Sequence, residues 1–141
     1  MKYDDYSWHY GGDYPEDLPD EAAATHTGMF YAWSLLSGLG GALHVEDCPE
    51  DLEGLNSRTI TPGQAFIQHC DGKLTDEDLN DEGNLFAAAY FDLENSEYID
   101  DYATALCDEL PSLYHVADTW ENFEKLRPIL DEKFKLWRKA T

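Results

Sequence analysis

Apolar residues recur every three or four positions along most of this chain, the spacing of helices that bury one face. Met29, Phe30, Trp33 and Leu36 predict a first strong helix over 26–37, with Thr25 or Thr27 as its cap and Gly38 as its stop. Thr61-Pro62 is a cap followed by a first-turn proline, and it opens a helix carrying Phe66, Ile67 and Cys70 that Gly72 ends. Thr75 caps an acidic turn, Asp76-Glu77-Asp78, which suits the positive end of a helix dipole. Leu85, Phe86, Ala89, Tyr90 and Leu93 make the next stripe. Ser96 opens another, with Ile99, Tyr102, Ala103, Leu106 and Leu110 on one face and Pro111 closing it. The last stripe starts near Thr119 and runs through Phe123, Leu126, Leu130, Phe134 and Trp137. Pro128 is expected to kink that helix or split it at Arg127.

Two stretches lack this period. Residues 1–24 carry Tyr3, Tyr6, Trp8, Tyr10 and Tyr14 among the turn formers Gly11-Gly12, Pro15 and Pro19. So much aromatic surface is unfavourable in water, so this segment is expected to be an irregular arm packed on the body or on a partner. Residues 42–60 read as a loop with an acidic run from Glu46 to Glu53 and a weak strand signal at Arg58-Thr59-Ile60. The expected architecture is all-α: one acidic domain over 1–141, a single compact bundle of about five or six helices with an irregular aromatic N-terminal arm.

Charge changes the picture more than composition does. A hydrophobic content of 43% over 141 residues is enough for one core. Net charge is −21, and it is unevenly spread. Residues 1–124 hold Lys2, Arg58 and Lys73 against 28 acidic side chains, a balance of −25, whereas residues 125–141 balance at +4. Such a field repels nucleic acid and anionic membranes and draws in basic surfaces. The basic C-terminal residues alternate with a core stripe, so they read as a solvated helix face that can pair with the acidic body. No apolar run approaches the roughly 20 residues of a membrane span, and the start MKYDDYSWHY lacks the apolar core of a signal peptide. Cys48, Cys70 and Cys107 show no paired spacing, as expected of reduced thiols in the cytoplasm.

No catalytic motif stands out, and no cofactor is expected. Gly38-Leu39-Gly40-Gly41 lacks the lysine of a phosphate loop, and Asp71 to Glu82 lacks the glycine that a calcium loop needs at its sixth position. His44, His69 and His115 are scattered and read as structural, and neighbours on a helix such as His69 and Cys70 point apart. The densest polar cluster lies at the N-terminus. Asp5, His9, Asp13 and His26 offer carboxylate and imidazole donors to a divalent metal, though at no standard spacing.

The stretches YDDYSWHYGGDYPEDLP (3–19) and THTGMFYAWSLLSGL (25–39) resemble the opening of an uncharacterised family of small acidic bacterial proteins. The resemblance extends through most of the chain, including the aromatic C-terminal helix, and it brings no assigned activity and no established functional residues. By class, size and charge, such proteins resemble cytosolic immunity proteins that neutralise secreted antibacterial toxins. The leading expectation is a non-enzymatic acidic binding protein that covers a basic surface or active site of a protein partner such as a cognate toxin. Its expected contacts are Asp4, Asp5, Trp8, His9, Tyr10 and Asp13, with Glu46, Asp47, Glu50 and Asp51 as a second patch. The alternative is a metal-binding protein or metal-assisted hydrolase built on the N-terminal Asp/His cluster.

Overall fold

Every residue from Thr25 to Leu35 is buried in a helix, α1 (Thr25–Leu36), around which the rest of the chain is wrapped. The computed structural model describes residues 2–9, 14–91 and 96–140. Among them are five further helices: α2 (Pro49–Ser57), α3 (Pro62–Cys70), α4 (Asp81–Tyr90), α5 (Glu97–Leu106) and α6 (Trp120–Ala140). A small antiparallel sheet pairs β1 (Lys2–Asp5) with β2 (Lys73–Thr75), Asp4 opposite Leu74 and Asp5 opposite Lys73. The fold is thus the mostly helical one that the periodicity implies.

α1 is apolar or small on all sides, as a central helix must be. Gly28 faces α3 so closely that a Cβ there would sit 2.9 Å from the Cα of Gly63. Phe30 packs against Phe86, Phe91 and Tyr98, and Trp33 against Phe86 and Phe134, so α4, α5 and α6 share one aromatic core with α1. Neither Thr25 nor Thr27 caps α1. The chain enters it already wound, from a 3-10 turn over Asp20–Ala24, and both threonines lie buried inside the helix. Thr61 does cap α3, with Gln64 completing a reciprocal capping box, and Ser96 caps α5 by accepting from the Ile99 amide.

Four expectations need correction. The N-terminal segment is not irregular throughout: among its described residues it forms β1 and then a 3-10 turn, Tyr6–His9. It buries Asp4 and Asp5 where a strand ordinarily buries apolar residues, which is why alternation did not announce it. Residues 42–60 are not a loop but a π-helical turn, Leu43–Asp47, followed by α2. Pro49 occupies the first turn of α2 and Arg58, at φ 57, ends it where a strand was signalled. α6 is not split at Arg127, because Phe123, Leu126 and Leu130 are buried on both sides of Pro128 and hold the helix to the body. The carbonyl of Glu124 that Pro128 leaves without its helical partner belongs to an exposed residue that water can serve. Finally, Leu85 and Leu110 are exposed, not on a buried stripe, and Leu93 lies outside the described residues.

The basic end of α6 pairs with the acidic body. Arg138 donates to both carboxylate oxygens of Glu82, at 2.9 and 2.8 Å, and Lys133 reaches Glu97 and Asp101. Among the described residues, no helix is long and apolar enough to cross a membrane.

Candidate functional site

The structure gathers the polar residues into two buried clusters, one including Asp4 of β1 and one centred on His44. The first joins β1, the turn after it and the start of α1. Asp4, in β1, is fully buried. His9 Nε2 meets its Oδ1 at 2.9 Å, and Thr27 Oγ1 donates to its Oδ2 at 2.5 Å. His26, in the first turn of α1, places Nε2 3.7 Å from the same Oδ2. The His9 and His26 rings meet edge to face at 4.8 Å between centroids. Tyr114 closes the cluster: its hydroxyl lies 2.9 Å from His9 Nδ1, and its ring stands at the edge of His26. Tyr114 also lines a cleft of about 380 Å³ with Thr25, His115 and Asp118.

The electrostatics of this cluster are unusual at His26. Both of its ring nitrogens are buried with no hydrogen-bond partner among the described residues. Burial pushes its pKa down to about 4, against the pull of Asp4 and with the added repulsion of His9, so the ring is a neutral imidazole at neutral pH. Burial opposes the charge on Asp4, but the bonds and charges of His9, His26 and Thr27 outweigh it and hold that carboxyl below its ordinary range.

The second cluster joins the π-turn, α2, α3 and the turn after β2. His44 is fully buried and bonded at both ends: Nδ1 to Asp51 Oδ2 and Nε2 to Asp78 Oδ1, each at 2.7 Å. A carboxylate oxygen at each ring nitrogen is the arrangement that favours the imidazolium form. Burial works against that charge, yet the bonds to Asp78 and Asp51 raise its pKa above the ordinary value. Asp78 Oδ2 in turn accepts from the Thr75 amide, and His69 Nε2 lies 3.4 Å from Asp51. Cys70 Sγ is 3.6 Å from Asp78 and 3.8 Å from His44. Burial and the Asp78 charge push the Cys70 thiol far up, so it is no thiolate nucleophile.

Above His44, the π-turn faces solvent. Leu43 and Val45 are exposed by 38% and 43%, flanked by exposed Glu46, Asp47 and Glu50. Residues 3–57 contain no lysine or arginine to offset them.

A family model described as a domain of unknown function (DUF7832) matches residues 2–116. The chain belongs to that family. No curated protein and no solved structure matches it. Both clusters lie wholly within the span shared with DUF7832.

The geometry divides the residues singled out from the sequence. Asp4, Asp5 and Asp51 are buried and present no surface to a partner. Asp5 accepts from Lys2 and Ser7, which hold its pKa down to about 2 despite desolvation. Trp8 is 54% exposed beside Lys2, His9 is half-buried, and Tyr10 and Asp13 lie outside the described residues. Of the four metal donors, His9 and His26 converge, but the carboxylate that meets them is Asp4, not Asp5. Alternation along β1 sends these neighbours to different surroundings, and the register that decides between them comes from β2. The cluster at His44 was not anticipated, since its members come from four elements; His44, His69 and Asp51 are brought together by tertiary packing that no local spacing records.

Proposed function

We propose that this protein is an acidic binding protein without a reaction of its own. It docks through the turn at Leu43–Glu50 on a basic surface of a protein partner and covers it, as an immunity protein covers a bacterial toxin. The observation that carries this reading is the exposure of two aliphatic side chains, Leu43 and Val45, next to the exposed acids Glu46, Asp47 and Glu50. A π-turn is rare overall and frequent at functional sites. Here a buried Asp–His–Asp clamp fixes it from below. Apolar anchors within a charged rim are the anatomy of a specific interface, and the rim speeds encounter with an oppositely charged partner. Trp8 supplies a second anchor. The cytoplasm suits such a role and suits three free cysteines.

The test is capture of partners from a bacterial lysate on the immobilised protein, at low and at high salt. One basic protein should be retained at low salt, toxic when expressed alone, and lost with Leu43→Ser/Val45→Ser. Trp8→Ala should weaken its binding by about 2 kcal/mol. Retention unaffected by the double variant, or lost equally with Asp108→Lys elsewhere on the surface, would remove the turn from the interface.

A further inference from the structure

We infer that Asp4, His9 and His26 form a binding site for one divalent transition-metal ion of the zinc class, independent of the docking turn. Among the described residues, two groups of three His, Cys, Asp or Glu side chains bring donor atoms within 4.8 Å of one another, this one and His44–Cys70–Asp78. They differ in what their donors already do. His44 spends both nitrogens on carboxylates. His26 spends neither, although it is 1% exposed. A buried imidazole with two unmatched nitrogens is unfavourable unless something else takes a lone pair.

The donor spacing suits an ion. Tetrahedral coordination at about 2.0–2.2 Å places neighbouring donors about 3.3–3.6 Å apart. Asp4 Oδ2 lies 3.2 Å from His9 Nε2 and 3.7 Å from His26 Nε2, on either side of that range. The outer contacts also match what metal centres use to orient their ligands. Thr27 fixes the Asp4 carboxylate, and the Tyr114 hydroxyl holds His9 at Nδ1, leaving Nε2 to face inward. Two imidazoles and one carboxylate favour zinc, cobalt, nickel or iron(II) over calcium or magnesium, which prefer all-oxygen sites. Coordination uses the lone pair of His9 Nε2, so the ring proton sits on Nδ1, where the Tyr114 hydroxyl oxygen can accept it. His9 is the partly exposed member and gives the ion its way in.

The experiment loads untagged, chelator-treated protein with zinc and with cobalt, and reads stoichiometry by elemental analysis. One equivalent should be retained and the melting temperature should rise. The cobalt form should show d–d bands without thiolate charge transfer, since its donors are nitrogen and oxygen. His26→Gln and Asp4→Asn should each lose at least tenfold in affinity, while Cys70→Ser keeps it. Histidine-selective NMR of the unmutated protein covers the case in which a variant fails to fold: zinc should move the His9 and His26 ring signals and leave those of His44 and His115 in place. No uptake, a thiolate charge-transfer band, or zinc shifts confined to His44 would each overturn the assignment.

Discussion

His44 and His26 are both fully buried, and each lies beside an aspartate, yet the fold treats them in opposite ways. His44 sits between two carboxylates at 2.7 Å, which raise its pKa and favour its cationic form. His26 has aromatic edges on three sides, a single carboxylate at 3.7 Å that other residues have already claimed, and stays neutral. Burial disfavours charge at both sites. What separates them is whether hydrogen-bond partners stand at bonding distance to offset desolvation. The first arrangement is that of a structural clamp, and the second is that of a ligand awaiting a partner.

The largest effect should come from removing the clamp's centre. His44→Leu leaves Asp51 and Asp78 buried without the imidazole they share, a loss of about 3–5 kcal/mol by denaturant unfolding. A loss below about 1 kcal/mol would mean that the two carboxylates are not charged together and the clamp is not ionic. The pH dependence sharpens the same point. His44 has a folded pKa raised above its ordinary 6.5. Its contribution is therefore complete below about pH 6.5 and is lost as pH climbs through the folded pKa. The stability gap between the natural protein and His44→Leu should narrow on the alkaline side. A gap that stays constant from pH 6 into the alkaline range, far enough for imidazolium to titrate, would contradict the assignment.

The same substitution at the other histidine should behave differently. In metal-free buffer, His26→Leu removes two buried polar atoms that have no partner among the described residues, and should leave stability unchanged or raise it by up to about 1 kcal/mol. A loss approaching that of His44→Leu would show that His26 is bonded in solution and would erase the contrast.

How much of this could be seen in the sequence follows from the range of the forces involved. The caps at Thr61 and Ser96 and the stripes of α3, α5 and α6 are local, and three- and four-residue spacing displays them. The aromatic character of residues 3–8 was visible, but the strand they begin was not, since its partner lies some 70 residues away at Lys73–Thr75. α2 hid behind Gly54, Asn56 and Ser57, poor helix formers in an acidic run, and is held by Leu55 and the Asp51–His44 bond. His9 and His26 could be proposed together from density alone. Choosing Asp4 over Asp5 required the face of β1, which one register step reverses.

The smallest effect is expected on the outer side of the clamp. Val45 adjoins His44 in the π-turn, but His44 is buried whereas Val45 is 43% exposed. Val45→Ser removes little buried surface, so unfolding free energy should change by no more than about 0.5 kcal/mol. The turn's shape depends on the His44 bonds beneath it, not on the side chains it displays. The amides of Leu43–Asp47 should therefore keep their hydrogen-exchange protection in Val45→Ser and lose it in a variant that weakens the clamp, such as Asp78→Asn. Protection lost in Val45→Ser as well would place the valine in the turn's own structure, and its exposure would then no longer support a role in docking.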